Sequence, residues 1–367
     1  MTKLEFDLES YKNNTYGSHN FHAYPAKFVP QIPKELMLRY SSVGDTIYDP
    51  FCGSGTTLVE AKSLSRHSIG TDVNPLACLI SKVKVTPITQ EDIEQIHKTI
   101  CAIDSTERGA TNPPPPIFNI DKWFANHIQD ELCWIRDNIL KAESQAAREF
   151  MLVAFSSILI KVSFQESDTR YRAVPKELPL GICSTLFSEK ITTMLTRRAS
   201  LVEHDPAISS TVINADSTNL KHLPRKVDLV VTSPPYLNSY DYYLYHKHRL
   251  AWLGFDHYIV QSQEFGSRNK HNDKGLGAES YQQSIASHVQ SLKQFLEPGA
   301  IYASVVGDGV VRGILYKADE MFDHVYESEG FTKIDQFSFD QRKYTRAFTP
   351  NMRTQAKETH VLVYQMR

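Results

Sequence analysis

The residues best suited to chemistry lie at the end of Val227-Asp228-Leu229-Val230-Val231-Thr232-Ser233-Pro234-Pro235-Tyr236. Leu229 to Val231 reads as a buried strand that stops at Ser-Pro-Pro-Tyr. Consecutive prolines fix φ, remove two backbone donors and leave their carbonyls as acceptors, and each holds the residue before it extended. The lip so formed suits the activation of an exocyclic amine on a planar base. Such a nitrogen is a poor nucleophile until its hydrogens are drawn out of the ring plane. The Ser233 hydroxyl and the Pro234 carbonyl can accept them, Pro235 stiffens the lip, and Tyr236 can stack on the ring. Taken alone, the same residues read better as a plain strand stop; the rest of the chain reverses that.

A second stretch supplies the other half of a reaction. Thr46 to Tyr48 reads as a strand, followed by Asp49-Pro50-Phe51-Cys52-Gly53-Ser54-Gly55-Thr56-Thr57 and a helix over Leu58 to Leu64. Strand, glycine turn and helix open a nucleotide-binding βαβ unit. Ser68 to Asp72 is its second strand, ending on an acid at the distance where dinucleotide folds meet ribose hydroxyls. Thr211 to Asn214 is a third strand, closing on Ala215-Asp216. Asp72 and Asp216 each have a competing role as caps of the next helix.

Around these stretches the pattern is α/β with an interruption. From Thr86 the character changes: Pro113 to Pro116 reads as stiff and extended. Trp123 to Leu140, Gln145 to Phe164 and Ile182 to Leu201 carry apolar residues at helical spacing. The expected organisation is therefore a discontinuous domain, 1–85 and 206–367, with a helical insertion over 86–205. The α/β pattern then resumes. A helix is expected over Tyr281 to Leu296, a strand over Ala300 to Val306 and a helix over Leu315 to Ser328. Phe331 to Phe339 and Val361 to Tyr364 read as a closing antiparallel pair, because only a short polar link joins them. Gln263 to Leu276 has the Gly, Asn and Ser content of a mobile loop.

Composition narrows the partners. The chain has 367 residues, 41% of them hydrophobic and 22% charged, and a net charge of -2. That balance makes no general case for nucleic acid, so any basic face must be local. Its five cysteines are scattered without a Cys-x-x-Cys pair, which favours reduced thiols in a cytoplasm over disulfides or zinc. No metal site is expected, since neither acids nor cysteines cluster with His19 and His22. No signal peptide or membrane-spanning run is visible. Two basic, aromatic segments stand out. Ser167 to Lys176, with Arg170 and Arg172, reads as a loop, either solvated or touching phosphates; Tyr240 to Leu253 holds Tyr240, Lys247 and Arg249. The Asp340 to Lys357 link adds Arg342, Lys343 and Arg346 with Tyr344 and Phe348 interleaved, either a phosphate strip or a solvated tip.

With Phe51-x-Gly53-x-Gly55 and Ser233-Pro234-Pro235-Tyr236 in one chain, the sequence resembles the amino-group DNA methyltransferases that use S-adenosylmethionine. Ser-Pro-Pro-Tyr is similar to the cytosine-N4 branch; the adenine-N6 branch more often carries Asp or Asn at the first position. The resemblance covers about 19–82 and 211–367. It implies a Rossmann-like seven-stranded sheet with the last strand antiparallel, to which the helical insertion is added. Asp49, Phe51, Gly53 and Gly55, with Cys52, Ser54 and Thr56 among them, match the cofactor loop. The glycines would let backbone approach the methionine part, and Phe51 would pack on adenine. Asp72, with Val73, would take the ribose hydroxyls; Asp216, with Ser217, the adenine amine. Tyr24-Pro25-Ala26-Lys27-Phe28 matches the segment closing over the methionine end, where aromatic rings can face a sulfonium.

The resemblance implies transfer of a methyl group to a flipped base in double-stranded DNA with no covalent nucleophile required; consistently, the chain has no Pro-Cys dipeptide. Adenine N6 is the nearest alternative target; an RNA base methyltransferase and an inactive methylase-like DNA-binding protein are the others. A restriction endonuclease counterpart and a nucleoid-associated, cytoplasmic setting go with the first reading. Nothing in the chain specifies an oligomeric state. The family often places a recognition domain after the Ser-Pro-Pro-Tyr strand. Here base reading falls to the insertion, to Leu237–Gly277 or to the Asp340–Lys357 link.

Overall fold

A computed structural model describes residues 4–7, 15–105, 109–199, 205–238, 240–271, 276–340 and 357–367. Seven strands form one sheet: β1 (Thr46–Asp49), β2 (His67–Asp72), β3 (Ser210–Asn214), β4 (Val227–Thr232), β5 (Leu296–Gly307), β6 (Phe331–Asp340) and β7 (Glu358–Met366). Their order is β6-β7-β5-β4-β1-β2-β3. β1 pairs in parallel with β2 and β4, β2 with β3, and β4 with β5. β7 runs antiparallel to both β5 and β6. The strand order reverses at β1, so a crevice opens between β1 and β4 at their carboxyl ends. This is the Rossmann-like methyltransferase sheet expected from the sequence.

β4 explains why the centre holds. Val227, Leu229, Val230 and Val231 are fully buried, as a strand covered on both faces requires. Side chains alternate across the pleat. Tyr48, Val230 and Tyr302 join one core layer; Ile47, Leu229, Val231 and Ala303 join the other. The first layer is covered by the helices Gly277–Lys293 and Ala318–Ser328, and the second by α1 (Gln31–Tyr40) and α2 (Thr56–Ser63).

The region after β2 is helical. α3 (Pro75–Val85), α4 (Gln90–Ile103), α5 (Asn126–Leu140), α6 (Gln145–Ile158) and α7 (Ile182–Ala199) precede β3; α8 (Gly277–Lys293) and α9 (Ala318–Ser328) flank β5. Asn74 caps α3 through Leu76 N–H, and Thr89 and Asp92 form a capping box on α4. The helices between 90 and 199 share a core with Leu76, Ile80 and Val83 of α3. Tyr243, Leu250, Trp252 and Val260, from far along the chain, complete it.

Several boundaries differ from expectation. The helix expected to reach Phe164 ends at Ile158, and the one expected from Leu315 begins at Ala318. Leu315 instead lies in a short hairpin, Gly309–Val311 with Ile314–Tyr316. Ser167 to Lys176 is not a plain loop: Gln165–Ser167 pairs with Arg170–Ala173. The stretch expected to be loop from Gln263 contains a helical turn, Arg268–His271. In the 340–357 link, Arg342, Lys343, Tyr344, Arg346 and Phe348 lie outside the described residues. Among the described residues, no helix is long and apolar enough to cross a membrane.

Candidate active site

The crevice at the switch point spans about 880 Å³, part of it open to solvent. Its walls come from five places: the Tyr24–Phe28 segment, the turn after β1, the ends of β2 and β3, the end of β4, and Tyr242 with Val260–Phe265. Gly53 and Ser233, far apart in sequence, line the same space.

The turn after β1 is held from beneath. Asp49 is buried, and its Oδ1 accepts from Phe51 N–H at 3.1 Å and Thr232 Oγ1 at 2.7 Å. Thr232 immediately precedes Ser233, so this carboxyl ties the two motifs together. Gly53 has φ +48, and a Cβ there would come within 3.5 Å of the Tyr24 ring. Gly55 does not line the crevice. Its φ is +77 and a Cβ would meet Ser81 Oγ at 2.8 Å, so this glycine admits α3 rather than a ligand, a correction to its expected role. Cys52, Ser54 and Thr56 do line it.

Asp72, at the end of β2, accepts from Gly53 N–H at 2.9 Å and Asn74 N–H at 2.8 Å. Burial pushes Asp49 and Asp72 each up to about 6, against the hydrogen bonds that pull them down. Asp216 caps the short turn Ser217–Asn219 through Thr218, so the capping role is present, and it also faces the crevice. Val73 and Ser217 complete this end. Phe51 packs its ring against Phe265 at 5.2 Å and His288 at 5.1 Å.

The Tyr24–Phe28 segment is pinned from both sides. His19 Nε2 meets Glu60 at 2.7 Å and His22 Nε2 meets Ser156 at 3.0 Å; burial lowers both imidazoles. Lys27 donates to His19 O, and burial pushes it down to about 8. Tyr24 stacks on Tyr242 at 6.0 Å and on His246 at 4.9 Å. Pro25 lies beside it in the wall.

At the Ser-Pro-Pro-Tyr lip, Ser233 Oγ donates to Val305 O at 3.1 Å. Its proton thus committed, the hydroxyl presents only lone pairs to the crevice. Pro235 lines the space, but its carbonyl already accepts from Tyr281 OH at 2.9 Å. Pro234 is buried and outside the wall. Tyr236 is also outside it: the ring lies across Gly307, where a Cβ would sit 2.5 Å from Cε2. The aromatic ring that does face the crevice is Tyr242.

The expected phosphate contacts divide. Arg170 and Arg172 are exposed on the hairpin, with Arg170 paired to Glu166 at 2.8 Å. That hairpin packs on the 242–252 helices, where Tyr171 meets His248 and Tyr240 meets Tyr242; Lys247 is half-buried there. Arg249 is a correction. It is 1% exposed, donating to Ser156 O at 3.1 Å and pairing with Asp168 at 2.5 Å. A guanidinium committed in this way belongs to the core.

Sequence reading missed Tyr242, Glu264 and Phe265, which no local motif marks. One cluster of metal-ligand type, Asp308, Asp319 and His360, occurs among the described residues. Asp308 accepts there from His360 and from the Ala318 and Glu358 N–H groups, as an internal hydrogen-bond hub does.

A β3-β2-β1-β4-β5-β7-β6 sheet with an antiparallel β7, and a crevice over β1 and β4, is the Rossmann-like methyltransferase fold. A family model described as DNA methylase matches residues 4–83. The type II methyltransferase M.MvaI of Kocuria varians is 30% identical over 248 residues, covering 60% of this chain and 54% of that protein. M.BsoBI of Geobacillus stearothermophilus is 28% identical over 294 residues, covering 68% and 55%. M.MjaII of Methanocaldococcus jannaschii is 43% identical over 97 residues, 26% of this chain and 18% of its own. The chain spans about half the length of M.MvaI and M.BsoBI. Residues 4–83 thus match the DNA methylase family model, and the chain is similar to these type II methyltransferases; the group that this fold implies is S-adenosylmethionine.

The crevice fits that group by its own chemistry. Acids at the ends of β2 and β3 suit hydroxyl and amine donors, the Phe51 ring suits a purine, and Lys27 suits a carboxylate.

Proposed function

We propose that this chain transfers a methyl group from S-adenosylmethionine to the exocyclic N4 amine of a cytosine flipped out of double-stranded DNA. The observation that carries this reading is the meeting of Gly53 and Ser233 in one crevice, with the Ser233 proton turned away to Val305. When bound, the cofactor supplies an electrophilic methyl on a sulfonium. Phe51, Asp72, Val73, Asp216 and Ser217 would hold its adenosine, and Tyr24, Pro25 and Lys27 its methionine. Ser233 would accept an amine hydrogen, drawing it out of the ring plane so that the nitrogen lone pair leaves conjugation. The Pro234 carbonyl, expected as the second acceptor, is not used, because Pro234 lies outside the crevice wall. Flipping costs a few kcal/mol, and stacking returns roughly 1–3 kcal/mol. Tyr242, which faces the crevice, serves that stacking better than Tyr236.

The main rate gain then comes from alignment and from fixed acceptors at the nitrogen. Arg170, Arg172, Tyr240 and Lys247 would contact the duplex backbone, and the helices over 86–205 would form the module carrying part of that surface. A restriction endonuclease counterpart and a cytoplasmic, nucleoid-associated setting complete the reading. The test is to incubate plasmid DNA with labelled cofactor and identify the product nucleoside by mass spectrometry. N4-methylcytosine is expected. N6-methyladenine moves the reading to the other branch, and no transfer overturns it.

A further inference from the structure

One buried acid in the crevice has no role in the scheme above. Glu264 is 4% exposed and lines the wall. Its Oε1 accepts from Tyr243 N–H at 3.1 Å, whereas Oε2 is buried with no hydrogen-bond partner. An unpartnered buried carboxyl oxygen is costly and needs a reason.

Its neighbours say which part of the reaction it serves. Two residues on, Gly266 lies against the lip: a Cβ there would be 3.0 Å from both Pro235 O and Tyr236 O. Gly266 O also accepts from Asn238 N–H at 3.1 Å. Glu264 therefore rides on a segment clamped to Ser-Pro-Pro-Tyr, beside Tyr242, whose backbone N–H also faces it. The acids and the cation suited to the cofactor lie on other walls.

We propose that Glu264 is a specificity-determining residue, its carboxyl holding the amine-bearing edge of the target base. The inference rests on the function proposed above. Bases that carry an exocyclic amine present, side by side, an N–H donor and a bare ring nitrogen. A neutral carboxyl presents the complement: O–H to the ring nitrogen and an oxygen to the amine. Because Oε1 accepts from Tyr243 N–H, the proton is favoured on Oε2; a base with a carbonyl beside a ring N–H needs the reverse order of donor and acceptor and fits less well. The neutral form is the resting one here, because burial pushes Glu264 up to about 8. The charged and titratable groups facing it are Asp241, which raises it further, and Lys270, which lowers it; the Tyr24, Tyr242 and Tyr245 hydroxyls complete its surroundings.

The test compares the full-length wild type with Glu264→Gln and Glu264→Ala. Methylation of plasmid DNA is followed from pH 6 to 10, and S-adenosylmethionine binding by calorimetry. The amide copies the neutral carboxyl's donor and acceptor, so Glu264→Gln should keep kcat/KM within about fivefold, while Glu264→Ala should lose about tenfold or more. Cofactor affinity should be unchanged in both. Wild-type activity should fall above about pH 8 as the carboxyl ionises, and the Gln variant should not follow it. Unchanged methylation by Glu264→Ala would make this an idle buried acid. Weaker cofactor binding in either variant would move the carboxyl to the cofactor's ammonium. If Glu264→Ala fails to fold, the Gln profile decides: a wild-type-like fall above pH 8 overturns the proposal. A wild type that binds cofactor but methylates no DNA sinks the proposed function itself, and this inference with it.

Discussion

Asp72 illustrates how a side chain can cap its own loop and still keep lone pairs for a ligand. Each carboxyl oxygen takes one backbone N–H, from Gly53 and Asn74, and a carboxylate has lone pairs left for two hydroxyls. Burial raises its pKa to about 6, which makes ligand binding depend on pH. Only the ionised form accepts from both hydroxyls, so binding favours loss of the proton and strengthens as pH rises. Calorimetry should show cofactor affinity rising by up to about tenfold per pH unit between about pH 5 and 6 and levelling near about 7. Asp72→Asn should flatten most of that slope, since Asp49 is the other acid near 6. An unaltered slope would remove Asp72 from the ribose site. Residues of this kind were legible because the glycine turn and the strand-end acid are local signals. Arg249 was misread for the converse reason: a basic, aromatic run looks alike whether it faces phosphate or fills a core. Its partner Asp168 lies far back in the chain, and no local pattern reports such a pair. Arg249→Ala should therefore act on stability, costing about 3 kcal/mol, with DNA affinity kept below the lowered melting temperature. A gel-shift titration against Lys247→Ala checks it; equal losses of affinity in folded protein would restore Arg249 to the DNA surface.

Elements, more than side chains, bring the two motifs together. β1 and β4 are neighbours, paired from Ile47 with Leu229, and the Asp49–Thr232 bond closes the gap beyond the last pair. The next strand, β5, then positions the lip: Val305 O accepts from the Ser233 hydroxyl and Gly307 makes room for the Tyr236 ring. The apolar run and the double proline gave β4 and its end away in the sequence. The contribution of β5 was hidden, because Gly307 matters only through a ring that arrives from another strand. Gly307→Ala would place a Cβ 2.5 Å from Tyr236 Cε2, forcing the ring to move at a cost of about 1–3 kcal/mol. Since β5 also carries Val305, turnover should fall by about tenfold or more while cofactor affinity holds. Steady-state kinetics with parallel calorimetry separates the two. A loss confined to cofactor binding would show that the ring supports the cofactor pocket instead of the lip.

At the scale of the whole molecule, the helical region invites removal, since composition marks it off from the sheet on either side. Its packing argues for the opposite treatment. Leu76, Ile80 and Val83 of α3 are buried in the same core as Ile96, Trp134, Phe150 and Phe155. Leu250 and Trp252, which follow the Ser-Pro-Pro-Tyr lip, join them there. Uncovering those five side chains of α3 and the 242–252 helices would cost on the order of 10 kcal/mol, comparable with the roughly 5–15 kcal/mol that stabilises a whole domain. The crevice would suffer with the core, because Tyr24 rests on His246 and His22 is bonded to Ser156 of α6. A chain joined by a Gly-Ser bridge from Val85 to residue 205 should therefore accumulate as insoluble or molten protein and bind no cofactor. Far-UV circular dichroism, a urea melt and calorimetry test this directly. A soluble product that unfolds cooperatively and binds S-adenosylmethionine would show the helices to be an appended module. The expected failure would make them the third wall of the fold, through which any contact with DNA is felt at the lip.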